Sequence, residues 1–147
     1  AIYTLRLNNV LFKASNSLSI IDSRSPQIKF KEISLTKSGY ILEPNEFILA
    51  QTYESISISQ GLVGFLDART SLTRIGLITL HSSTLIEPGQ SESKETLEIK
   101  NISQYPIQLF PFMDIVKCYF VLLSSYAQEA YSVYGKYRKQ KDVNLKN

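Results

Sequence analysis

The chain of 147 residues carries 44% hydrophobic and 20% charged side chains, with a net charge of +3 and a pI near 8.9. These are the values of one soluble globular domain with enough length to bury a core, and the mild basicity falls short of a nucleic-acid footprint. A single cysteine, Cys118, and a single histidine, His81, exclude an intrachain disulfide framework and any Cys/His zinc cluster, and fit a reducing compartment.

Short alternating and apolar runs fill the chain, without long helical periodicity. In order, YTLRL, QIKFKEISL, EFILAQTYESISI, LVGFL, GLITL, ETLEIKN, YPIQLF and DIVKCYFVLL read as strands. In QIKFKEISL the alternation predicts Ile28, Phe30 and Ile33 near one face, with Lys29 and Lys31 on the other. Turn signals separate the runs: SRSPQ, KSGY, EPNE, SQG, EPGQSES and NISQYP. This spacing predicts a mainly all-β fold, an antiparallel barrel or sandwich.

Two short helices are expected. RTSLTRIG opens on hydroxyl residues and closes on glycine, as a capped turn does, and SSYAQEAYSVY offers a second short helix or an irregular connector. Residues 1–127 form the expected domain. Residues 128–147 turn polar and rich in Lys, Arg and Tyr, as a flexible tail would. The opening AIYTLRLNN lacks the pattern of a signal peptide. Lys117 interrupts the most apolar stretch, IVKCYFVLLSSYA, which is too short to span a bilayer. The expectation is a cytoplasmic protein without membrane or nucleic-acid partners, and the opening alanine leaves open whether native residues precede it.

Three constellations carry possible chemistry. LDARTSLTRIG places Arg69 and Arg74 around Thr70, Ser71 and Thr73. Hydroxyls and an arginine fork suit phosphate oxygens, and a capped helical turn with solvated arginines explains the same residues. In ETLEIKN, Glu98 lies between Leu97 and Ile99, either facing solvent or facing a pocket as a proton acceptor. Ahead of it Glu87 opens the turn of LIEPGQ. In the tail, Tyr131, Tyr134, Lys136, Tyr137 and Arg138 offer aromatic faces and cations, or merely a solubilising basic end. His81 and Cys118 read as structural residues.

The order of these pieces is more specific than any one of them. EPNEFILAQTYESISI, GLVGFLDARTSLTRIGL, TLIEPG, TLEIKN, PIQLF and GKYRKQ together resemble the dCTP deaminase family, a branch of the trimeric dUTPase-like superfamily, over roughly residues 40 to 140. The resemblance implies a distorted antiparallel β-barrel assembled as a homotrimer with active sites between subunits. Arg69, Thr70 and Arg74 fall on its R-S-S-x-x-R pattern, which holds triphosphate and catalytic groups, and Ser71 lies within that pattern. Glu98 falls on the catalytic glutamate. Ser82 and Ser83 occupy the segment beside the base, Glu87 the turn that follows it, and Tyr131, Lys136, Tyr137 and Gln140 the tail that closes over the nucleotide.

The implied reaction is deamination of dCTP to dUTP. Without zinc, a carboxylate must activate water and shuttle protons. Glu98 is that candidate, with Arg74 orienting it and Thr70 positioning the water. Mg²⁺ would be bound through the triphosphate. Ala68, Thr70, Thr4, Asn8 and the QSES loop depart from the family's usual glycine, serine, aspartate, glycine and aromatic-x-Gly. Two alternatives stay open. One is dUTP hydrolysis to dUMP and diphosphate, alone or combined with deamination, and the other is a non-catalytic nucleotide-binding regulatory barrel.

Overall fold

The computed structural model describes residues 1–79, 84–138 and 143. The long first strand organises it. β1 (Ile2–Ala14) pairs antiparallel with β10 (Asp114–Leu122) through its first half. Its second half lies between β2 (Phe30–Ser34) and β4 (Phe47–Thr52). Register shifts at Leu5/Arg6 and between Leu7 and Leu11 separate these pairings, and such irregularities bend a strand and increase its twist. β1 thus belongs to two halves of one curled antiparallel sheet.

On one side the sheet continues from β10 to β5 (Leu62–Ala68) and β7 (Leu85–Ile86). On the other it continues from β4 to β8 (Thr96–Asn101) and β6 (Leu77–Ile78). A separate ladder joins β3 (Tyr40–Leu42) to β9 (Ile107–Leu109). The all-β expectation is met, with two single-turn helices, α1 (Thr70–Thr73) and α2 (Tyr131–Tyr134). No described helix is long and apolar enough to cross a membrane.

Alternation decides which side chains meet inside. Leu97, Ile99 and Asn101 of β8 are buried, and so are Ile48 and Ala50 of β4. They pack with Leu7, Leu11, Leu42, Leu77, Ile86, Leu109, Ile115 and Cys118 in one continuous core. Asn101 is the polar exception, and all its capacity is used. Its Nδ2 donates to the carbonyls of Leu42 (3.0 Å) and Tyr105 (2.7 Å), while its Oδ1 accepts from the N–H and hydroxyl of Ser103. The 102–105 loop is thereby fixed to the end of β8.

The opposite face of β1, β2 and β4 carries a smaller apolar cluster. Phe12, Leu49 and Val143 are buried together, with Val10 and Phe30 against them. This corrects one expectation. Phe30 belongs to the smaller cluster, whereas Ile33 packs on the main core, because residues three apart in a strand point to opposite faces.

Other differences are local. EFILAQTYESISI is regular only to Thr52; beyond it the Tyr53 N–H still donates to the Arg6 carbonyl of β1, and Ile56 forms an isolated bridge to Ser93. α1 begins at Arg69 without a side-chain cap, so the hydroxyls do not cap it. The Thr73 hydroxyl instead donates back to the Arg69 carbonyl at 3.3 Å. Of SSYAQEAYSVY only Tyr131–Tyr134 is helical.

One outer face remains apolar. Ile2, Tyr119, Phe65 and Leu85 stand opposite one another in register across β1, β10, β5 and β7. The Phe65 and Tyr119 rings stack at 5.5 Å, and Ile2, Tyr119, Leu85 and the neighbouring Val121 are exposed.

Candidate functional site

α1 is set between two anchors. Before it, β5 ends on Ala68 opposite Val116, which brings the Arg69 guanidinium to Asp114 at 3.5 Å. After it, Gly76 adopts φ +86°, and its carbonyl accepts from the Ile102 N–H at 2.9 Å. A Cβ at Gly76 would stand 2.7 Å from the Ser103 Cβ, so this close approach admits glycine alone. Thr70 and Ser71, which follow Arg69 in the chain, are exposed. Arg74 and Gly76 line a groove of about 700 Å³ with Ser103, Tyr105 and Gln108.

Glu98 sits on β8, opposite Leu49 of β4. Its neighbours on either side along the strand, Leu97 and Ile99, are buried in the core, so its carboxylate belongs to the other face, where it is half-buried. That face also holds Thr96, Lys100, Leu49 and Gln51, by alternation and register. Val143, packed on Leu49 and Phe12, brings the end of the tail to the same face. Glu98 is not among the residues that line the Arg74 groove.

The turn after β7 forms a third position. Gly89 has φ +75°, and the Pro88 and Gly89 carbonyls accept the N–H groups of Tyr131 (3.0 Å) and Ser132 (3.3 Å), which seats α2 on the turn. The Tyr134 hydroxyl donates to Glu87 Oε2 at 3.4 Å, and burial first, then the Glu87 charge, raises that phenol above its ordinary value. The Tyr131 hydroxyl accepts from the Tyr137 N–H at 3.4 Å, and the Lys136 ammonium lies 5.6 Å from the Tyr137 ring. The exposed Arg138 guanidinium donates to the Val133 carbonyl at 2.5 Å.

The structure therefore brings Glu87, Tyr131, Lys136 and Tyr137 into one assembly, and keeps Arg69, Thr70, Ser71 and Arg74 on another. Ser82, Ser83 and Gln140, and His81 with them, lie outside the described residues. Sequence reasoning missed three residues near these positions. Asp114 neutralises Arg69 from a distant strand. Buried Gln90 donates to Glu95 Oε1 at 2.5 Å, and Gln51 is buried on the Glu98 face. Gln51 had a legible signal: a polar residue inside the apolar run FILAQT.

A family model described as dCTP deaminase-like matches residues 3–122. The chain is 37% identical over 120 residues to a protein of Tropheryma whipplei named dCTP deaminase, dUMP-forming, covering 80% of this chain and 60% of that one. A Sulfurihydrogenibium protein of the same name is 34% identical over 140 residues, covering 93% and 75%. A Streptomyces griseus protein of that name is 41% identical over 108 residues, covering 70% and 55%. The chain thus spans between about half and three quarters of the length of these relatives.

Among solved structures, the 2'-deoxycytidine 5'-triphosphate deaminase of Agrobacterium tumefaciens superposes with a TM-score of 0.71 at 13% identity. That superposition covers 85% of this chain and 43% of that one. The native EIAV dUTPase superposes at 0.50 and 13% identity over 82% and 93%, and these two likenesses establish the fold. With the family model extending over β1 to β10 and a relative 37% identical over 120 aligned residues, this chain belongs to the dCTP deaminase-like family.

Proposed function

We propose that the chain deaminates the cytosine of dCTP by zinc-independent hydrolysis, in the assembled protein of which it is part. The observation that carries this reading is the Glu98 carboxylate, half-buried on a face that the tail reaches through Val143, in a chain whose relatives are named dCTP deaminases. Glu98 takes a proton from water as the oxygen attacks C4, and the proton passes to the amino group that leaves as ammonia. Arg74 orients Glu98 and Thr70 positions the water.

Arg69, Thr70 and Ser71 hold the triphosphate by charge-assisted hydrogen bonds. Ser82 and Ser83 lie against the base. Glu87, Tyr131, Lys136, Tyr137 and Gln140 belong to the turn and tail that close over the nucleotide. Among the described residues no three His, Cys, Asp or Glu side chains gather to hold a metal ion. Mg²⁺ is carried on the phosphate oxygens of the nucleotide, where it neutralises charge.

In one protomer Glu98 lies outside the groove that Arg74 lines, so this reading needs a neighbouring subunit to complete the site. The apolar row of Ile2, Tyr119, Phe65 and Leu85 supports assembly as a homotrimer, since such patches mark contact surfaces. A second reading, in which dUTP is further hydrolysed to dUMP and diphosphate, is favoured by the dUMP-forming names of the relatives. Incubation with dCTP and Mg²⁺, followed by separation of products, distinguishes them: dUTP with ammonia marks deamination alone, and dUMP with diphosphate marks both steps. Glu98→Gln is expected to abolish ammonia release while keeping triphosphate binding, and Arg69→Ala to weaken nucleotide affinity first. Undiminished turnover in Glu98→Gln refutes the assignment.

A further inference from the structure

Among the described residues, three side-chain polar atoms are buried without a hydrogen-bond partner: Gln51 Nε2, Thr96 Oγ1 and Thr79 Oγ1. Each such group costs about 1–3 kcal/mol when left unpaired, so native proteins keep few of them, and those call for a reason. Thr79 follows Leu77 on the core face by alternation and stands alone. The other two are a pair. Gln51 of β4 and Thr96 of β8 face each other directly in register, on the sheet face that carries Glu98 two residues beyond Thr96. Gln51 is only 2% exposed. Directly opposed side chains in an antiparallel ladder are within reach of each other, yet these two form no mutual bond. Each therefore keeps donor capacity for a third group.

The chemistry of that group follows from the donors. Gln51 Nε2 only donates, so it needs an acceptor, and the Thr96 hydroxyl can donate to the same atom. Both donors are neutral, and on the same face the Glu98 carboxylate stands two residues from Thr96, nearer than the Lys100 ammonium at four. A phosphate oxygen is therefore a poor match, and a neutral carbonyl or hydroxyl oxygen a good one. We propose that Gln51 and Thr96 form a polar subsite beside Glu98 that takes a neutral oxygen of the nucleoside, either the base carbonyl or the sugar hydroxyl. This rests on the deaminase reading above. The subsite determines specificity without taking part in proton transfer. It also accounts for a polar pair retained where two apolar side chains would stabilise the fold.

The test measures calorimetric Kd values in a Glu98→Gln background, where the nucleotide is not consumed. The probes are dCTP, its 2',3'-dideoxy analogue and its 2-thio analogue. Gln51→Leu and Thr96→Val remove the donors with little change of volume. Each is expected to weaken dCTP about tenfold, the size of one good hydrogen bond, with an unchanged or higher Tm. Before substitution, one analogue binds about tenfold weaker than dCTP, and it identifies the oxygen: the dideoxy compound the sugar, the thio compound the base. In the variants that difference disappears. Unaltered Kd values for all three nucleotides overturn the subsite, and so does a Tm lowered in both variants, which would make the pair structural. If the Glu98→Gln protein binds no nucleotide at all, the deaminase reading fails, a result separate from either.

Discussion

Glu95→Gln isolates the cost of one buried charge. Glu95 precedes β8, where its N–H donates to the Thr52 hydroxyl at 3.0 Å and its carbonyl accepts from the Thr52 N–H at 2.9 Å. The residue keeps some exposed surface, but its carboxyl end is desolvated, and burial pushes its pKa up to about 7 against the lowering effect of the Gln90 hydrogen bond. The nearby Cys118 thiol is raised to about 11, by burial first and by the Glu95 charge second.

A folded carboxyl above its unfolded value means that the native state holds the proton. Stability is then full below the ordinary 4.5, declines as pH rises to about 7, and is flat beyond. The interval corresponds to ~3 kcal/mol, or roughly 9 °C in Tm for a chain of this length. Glutamine keeps the acceptor for Gln90 and removes the charge. Urea unfolding between pH 5 and 8.5 should show the parent losing ~3 kcal/mol while Glu95→Gln stays level, the two converging near pH 5. Glu46 and Glu54 do not confuse the window. Burial pushes both up, but hydrogen bonds from Lys13 and Tyr40, and from Arg6, hold them below the ordinary range, so their contribution is lost only at lower pH. Parallel parent and variant curves would refute the reasoning.

Two other substitutions test how the loops are held. Asn101→Ala removes a fully buried side chain whose four bonds fix the 102–105 loop, and should cost roughly 2–4 kcal/mol in urea unfolding; a loss under 1 kcal/mol would show that water replaces it. Gly89→Ala sets a Cβ 2.5 Å from the Ala130 Cβ at a positive φ. It should release α2, seen as faster proteolysis after Tyr126 and Tyr131 with weaker nucleotide binding, and an unchanged cleavage rate would count against the docking.

Much of the framework was legible because it rests on local signals. Alternation placed β5, β8 and β10 close to where they lie, and the Pro-Gly and NISQYP turns separated them. The missed details come from long-range pairing. Nothing local shows that Asp114 meets Arg69, or that β1 serves two partners in succession. Phe30 and Ile33 read as one face because both are apolar, although their spacing forbids it in a regular strand. Glu98 was readable as a strand carboxylate, but its half-buried face depends on β4, and the orphaned state of Gln51 and Thr96 follows only from the β4–β8 register.

The seat of α2 has a consequence for how such a chain can diversify. The tail is fastened to the turn mainly by peptide carbonyls at positions 88 and 89 receiving peptide N–H groups at 131 and 132. Peptide groups are common to every residue type except for the N–H that proline lacks. Side chains of 131–138 other than Tyr131 and Tyr134 are therefore released from the duty of attachment, and the chemistry they present can be rewritten while the seat of α2 stays where it is.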